Sequence, residues 1–133
     1  MTFIEQSYAK PLYPRLAVLA GGLFVVATNA FVIAGLLPDI AATLGVTPSQ
    51  VGYSITDYSI VVAVGAPAIS ILLPRLSRTV LMAIGLAFVA GGTILAALAP
   101  DVTAFTLGRV LAGLGGAALV PAATAAAASL APA

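Results

Sequence analysis

Apolar residues in this chain come in runs as long as whole helices, and short polar clusters separate the runs. From about Leu16 to Leu37 there is no charged residue. At ~1.5 Å of rise per residue this stretch can cross ~30 Å of hydrocarbon. Pro38 and Asp39 are expected to end this first helix, and Ile-Ala-Ala-Thr-Leu-Gly-Val reads as a short connection. Thr47-Pro48-Ser49-Gln50 then has the form of a capping box with proline at the first helical position. It predicts a second helix from about Pro48 to Leu73. Pro74-Arg75-Leu76-Ser77-Arg78 is a tight basic turn, and Ser77 can cap a third helix from about Thr79 to Leu98. After Pro100, Asp101 can cap a fourth, from about Val102 to Ser129. The expectation is an all-α membrane protein, one transmembrane domain over residues 1–133. Its four helices would run antiparallel, each beside its neighbours in sequence.

The flanks of these runs add an orientation. Residues 1–15 form a polar N-terminal piece containing Lys10 and ending in Arg15, without a cleavage signature. The apolar run after it exceeds the ~7–15 residues of a signal-peptide core, so it reads as a retained helix. Lys10, Arg15, Arg75 and Arg78 all fall on one side of the predicted membrane, whereas Asp39 and Asp101 fall on the other. By the positive-inside rule the N-terminus and the turn between the second and third helices face the cytoplasm. Four spans would return the C-terminus to the same side.

Composition narrows the function classes. The 133 residues are 62% hydrophobic and 7% charged, with mean hydropathy +1.19. A soluble domain carries roughly 25% charged residues, so this chain could not cover a water-facing surface. The net charge of +1 says nothing about nucleic acid, but the sequence holds no basic patch for phosphate binding. With no Cys and no His, thiol chemistry and the usual zinc sites are excluded, and no metal or cofactor is expected. Four acidic residues, Glu5, Asp39, Asp57 and Asp101, leave little for acid–base catalysis, and an enzyme is not expected.

The candidate chemistry lies in charges inside the runs. Arg109 sits in Phe105–Pro121, an apolar, glycine-rich stretch with no opposite charge nearby in sequence. Such a charge costs at least ~2.5–3.5 kcal/mol on insertion scales, so it should face a bundle interior, a wet cavity or an acidic partner. Asp57 in the second helix is predicted at similar depth, each charge ~10–14 Å along its helix, and a buried Asp57–Arg109 pair would lower the cost of both. Gly108, Ala112 and Gly116 recur at helical spacing as a small-residue stripe on which another helix can pack closely. Gly113 and Gly115 read as further packing positions. Asn29 can hydrogen-bond to another helix or to a substrate. Tyr58 is an interface anchor by default, as are Tyr53 and Phe105, or it lines a cavity beside Asp57. Pro67 and Pro121 free backbone carbonyls and can kink helices that line a path, with Pro121 a candidate hinge. Arg15 and Arg109 each precede a Gly-Gly pair by six residues, an internal echo that chance in so restricted a composition also produces.

Four pieces, in this order and spacing, resemble the first four helices of a major facilitator superfamily transporter of the bacterial proton-coupled drug and sugar efflux type. Phe31–Ala41 is similar to the end of that family's first helix, and Tyr58 with Gly65-Ala66-Pro67 to its second. The turn at Arg75 and Arg78 occupies the place of the family's cytoplasmic Gly-x-Leu-Ala-Asp-Arg-x-Gly-Arg-Arg signature. Arg109 with Gly113 and Gly115 resembles the fourth-helix Arg-x-x-x-Gly-x-Gly signature, assigned there to proton transfer. The resemblance implies a bacterial inner-membrane antiporter whose partners are the lipid bilayer, protons and a small-molecule substrate. It also implies helices beyond these four and a second bundle. By the same likeness Arg109 and Asp57 would serve proton coupling, Asn29 and Tyr58 the substrate path, and Arg75 and Arg78 a gating turn. In that turn the acidic position reads Pro74 and the glycine position Ser77. The rival expectation is a small tetraspan protein acting as an oligomeric subunit or interaction partner. Small four-helix multidrug exporters fit less well, because they rely on an acid that the first helix here does not carry.

Overall fold

The computed structural model of the chain describes residues 3–72 and 76–129. Five helices make up its secondary structure: α1 (Phe3–Gly35), α2 (Leu37–Leu44), α3 (Pro48–Leu72), α4 (Arg78–Ala97) and α5 (Val102–Ala128). Four of them are long and apolar enough to cross a membrane, with α1 contributing Tyr13–Gly35 to its span.

Two elements differ from the sequence expectation. The polar N-terminal piece joins the first span as one continuous helix from Phe3. The supposed connection after it holds α2, a helix of 8 residues. Pro38 itself stands in the first turn of α2, where its missing N–H is not needed. The break falls at Leu36, because Pro38 has no N–H to offer the carbonyl one turn back. The amphipathic spacing Leu37, Ile40, Ala41, Leu44 then lays α2 across the end of the bundle, where these residues pack with Ile33, Val51 and Phe105. Phe105, expected as an interface anchor, is instead buried beneath α2.

Gly45 stops α2. Its φ of 64° is left-handed, and the Val46 N–H returns to the Ala41 carbonyl at 3.0 Å. A Cβ at Gly45 meets no atom within 4 Å, so only the backbone conformation resists a side chain there. Gly45→Ala is therefore expected to cost ~1–2 kcal/mol, and Gly45→Asn less, in unfolding of the purified full-length protein by SDS titration. The caps of the longer helices follow the sequence signals. Thr47 N–H donates to Gln50 Oε1 at 2.9 Å, and Gln50 N–H donates to Thr47 Oγ1 at 3.4 Å. Ser77 accepts from Val80 N–H and Asp101 from Ala104 N–H.

The bundle is not organised by sequence order. Consecutive α3 and α4 barely touch; α5 lies between them and packs on both. Half of the α5 span is buried, against 11%, 6% and 17% for the spans of α1, α3 and α4. Composition explains the choice, because α5 carries small residues on two faces. Gly108, Ala112, Gly115 and Leu119 face Gly85, Val89, Gly92 and Ala96 of α4, backbone against backbone. The steps between successive members are four, three and four residues on both helices. That spacing is the seam of a closely packed helix pair. Gly113, Gly116 and Ala117 turn to α3, against Tyr58, Val61, Val62 and Gly65.

Candidate functional site around a buried arginine

Arg109 is 2% exposed. Small residues place it there: Gly108 and Ala112 bring α4 close on one side and Gly113 brings α3 close on the other. The long side chain runs between them toward α1, where Nη1 donates to Asn29 Oδ1 at 2.7 Å and to the Asn29 backbone carbonyl at 3.0 Å. The guanidinium lies over the Tyr58 ring, with Cζ 4.4 Å from its centroid. Cation–π attraction of this kind is worth ~2 kcal/mol when desolvated. Nε and Nη2 of Arg109 and the Tyr58 hydroxyl are buried without a hydrogen-bond partner among the described residues.

The expected Asp57–Arg109 ion pair is not formed. Arg109 rests on neutral groups instead: an amide, a backbone carbonyl and an aromatic face. The reason is helical phase. Tyr58 points at α5, and the residue before it is turned by ~100°, which leaves Asp57 half-buried beside the site rather than in it.

Asn29 is the junction. While its Oδ1 accepts from Arg109, its Nδ2 donates to Thr93 Oγ1 on α4 at 2.6 Å, and Thr93 in turn donates to the Val89 carbonyl at 2.7 Å. Thr93 was not singled out from the sequence, yet a signal existed. Asn29 lies fourteen residues after Arg15 and Thr93 fifteen after Arg78, which sets both at one depth if the two arginines mark one membrane face. A cavity of about 340 Å³ reaches this point from the α2 end. Arg109, Asn29 and Thr93 contribute to its lining, with Asp39 and Thr43 from α2.

The other expected residues are distributed as follows. Gly108 and Ala112 face α4, but Gly116 does not continue their stripe; a Cβ there would meet the Tyr58 hydroxyl at 3.1 Å, so Gly116 makes room for Tyr58. The stripe is filled within the chain. Bulky residues at Gly108 or Gly116 would thus disrupt the bundle itself rather than report on an oligomer. Gly115 continues the α4 face and Gly113 serves α3. The internal echo is not matched in packing: Gly21 has nothing within 4 Å, while Gly115 abuts α4 backbone. Pro67 and Pro121 lie inside α3 and α5. Below Pro121, Arg78 donates to the Ala125 carbonyl at 2.9 Å, a cation at a helix C-terminus. That bond ties the start of α4 to the end of α5. Arg75 lies outside the described residues.

A family model described as Major Facilitator Superfamily matches residues 19–133. The chain belongs to the major facilitator superfamily. Its place in this superfamily of transporters makes it a multi-pass membrane protein, in keeping with the four spans. The MFS-type transporter YwfA of Bacillus subtilis is 36% identical over 118 residues, 89% of this chain and 28% of YwfA. The inner membrane transport protein YdhP of Escherichia coli K12 is 38% identical over 77% of this chain and 26% of YdhP. The putative multidrug resistance protein MdtD of Yersinia pestis is 31% identical over 80% of this chain and 23% of its own length. The chain thus spans about a quarter of the curated relatives it matches. No solved structure matches it significantly.

Proposed function

We propose that these residues form the opening part of the N-terminal bundle of a proton-coupled exporter in a bacterial inner membrane. Its substrates would be small amphipathic molecules, drugs or sugars. The observation that carries the reading is Arg109, buried at membrane depth on neutral partners, with Asp57 half-buried next to the tyrosine beneath it. Intramembrane ionisable residues mark substrate and ion pathways and proton relays. A guanidinium keeps its charge in proteins, so the proton would be carried by Asp57, the only carboxylate inside the four spans. Arg109 would tune it. Asn29 and Tyr58, which already contact Arg109, would form the near wall of the substrate path. The names of YdhP and MdtD, inner membrane transport and multidrug resistance, agree with this direction and location.

Arg15, Arg78 and Ser129 line one cavity and so share one end of the bundle, opposite Asp39 and Asp101. By the positive-inside rule that end is cytoplasmic, the N-terminus with it. Transport would proceed by rocking of this bundle against a second one supplied by further helices. The Arg78–Ala125 bond would be part of the cytoplasmic gate, joined by Arg75, and Pro121 above it would be the hinge.

The test uses the full-length protein in proteoliposomes with an imposed pH gradient, ethidium as the probe cation and a lumenal pH dye. Asp57→Asn is expected to abolish proton-driven accumulation of ethidium while leaving its downhill movement within about threefold of wild type. Proton-driven accumulation that survives Asp57→Asn removes Asp57 from the coupling step.

A further inference from the structure

We propose that Thr93 is a positioning residue: its hydroxyl fixes which way the Asn29 amide faces and so holds the acceptor on which Arg109 depends. A threonine hydroxyl has one proton. Here it goes to the Val89 carbonyl at 2.7 Å, leaving Oγ1 able only to accept toward α1. The Asn29 group facing Thr93 must therefore be the Nδ2 amide, at 2.6 Å, and the carbonyl end is turned to Arg109 at 2.7 Å. Arg109 can only donate, so both neighbours select the same orientation of the asparagine. The chain Val89 carbonyl, Thr93, Asn29, Arg109 links α4, α1 and α5 through three hydrogen bonds, each running from a donor to an acceptor.

The surroundings make this bond the point of control. Asn29 and Thr93 line two cavities in common, one reaching from the α2 end and one open between α1 and α4. The residues around the second are otherwise apolar apart from Thr28, so an amide released from Thr93 has little else to bond. Freed, the Asn29 side chain can rotate away, and Arg109 keeps only the backbone carbonyl. An agent entering either cavity and competing for the Thr93 hydroxyl would thereby alter the acceptor held against Arg109. The role in transport rests on the proton-coupled reading above; the positioning does not.

The experiment compares the full-length wild type, Thr93→Val and Thr93→Ser in lipid bilayers. Solid-state NMR follows the Arg109 side-chain nitrogens, assigned by difference against Arg109→Lys, and ethidium transport is measured in parallel. The wild type is expected to give two resolved Nη resonances, with Nη1 held by the amide. Thr93→Val, which keeps the shape of the side chain, is expected to narrow their separation, because Nη1 then keeps only the backbone carbonyl, and to lower the transport rate about tenfold. Thr93→Ser restores both. In an Asn29→Ala background Thr93→Val should have no further effect, because the residue acts through Asn29. An Nη separation in Thr93→Val equal to that of the wild type, or an additive effect on Asn29→Ala, would overturn the proposal. Thr93→Ala gives the same reading if the valine variant folds poorly. If the wild type moves no ethidium, the transport reading fails, and the NMR arm alone still decides whether Thr93 positions Asn29.

Discussion

Arg109→Leu is expected to yield a protein about as stable as the wild type that does not transport. On the proposed reading Arg109 would serve transport, while the cost of its burial is only just met by its contacts. A charge at this depth costs ~2.5–3.5 kcal/mol on insertion scales. The two hydrogen bonds to Asn29 return ~0.6 kcal/mol each, the average for polar contacts between membrane helices. The Tyr58 face, worth ~2 kcal/mol, offsets the remainder. Leucine removes the charge, both bonds and the ring contact together, leaving a balance within ~1 kcal/mol of zero. SDS titration of the purified full-length protein should register a change no larger than ~1 kcal/mol, while proton-driven ethidium transport falls by about 100-fold or more. Such a fall corresponds to losing charge-assisted bonds worth ~3 kcal/mol in the transport cycle. Arg109→Lys should keep the charge and still fail to rescue, since the shorter side chain with its point-charge ammonium cannot both reach Asn29 and lay a planar group over the Tyr58 ring. A leucine variant that is both less stable and still active would mean that Arg109 is a structural residue.

Neighbouring glycines in α4 should respond in opposite directions to the same added methyl. A Cβ added to Gly91 has nothing within 4 Å, whereas a Cβ on Gly92 would sit 2.6 Å from the Gly108 carbonyl oxygen and 2.9 Å from the Ala112 Cα. Neither of those atoms belongs to a flexible side chain, so α4 and α5 must separate to admit the methyl. Overpacking of this kind costs ~1–3 kcal/mol, against ~0.5–1 kcal/mol gained by replacing glycine within a helix. Gly92→Ala should therefore destabilise by ~1–2 kcal/mol and Gly92→Leu by more, while Gly91→Ala is neutral or slightly stabilising. The same SDS titration distinguishes them. Equal responses at the two positions would mean that the α4–α5 seam is not closely packed.

The open groove between α1 and α4 sets these packed faces in context. Among the spans, α5 is the buried centre and α1 is held at its edge by contacts that include the Asn29 bonds. The chain covers about a quarter of the length of the relatives it matches, and the spans of α1, α3 and α4 are each mostly exposed.

Much of this protein was legible in local sequence. Apolar run lengths report directly on spans, because the hydrocarbon thickness fixes how many helical residues cross it. Thr47 with Gln50, Ser77 and Asp101 announced their helix starts, because a cap is a contact between residues two or three apart. Arg109 stood out because a lone charge in an apolar run is costly wherever the helix goes. What the run lengths could not carry was helical phase and spatial order. Asn29 rather than Asp57 meets Arg109 because a turn of ~100° per residue sends Tyr58 inward and Asp57 aside. No spacing within α3 alone reveals which of the two faces α5. The insertion of α5 between α3 and α4 depends on small residues on two of its faces at once, and neighbour-in-sequence reasoning predicts the opposite. Thr93 entered the site only through the joint registration of α1, α4 and α5. Sequence by itself determined the spans, their caps and the identity of the costly charge, all set by local chemistry. Tertiary structure alone decided the partners of that charge, since helix phase and order follow from which faces can approach within backbone contact.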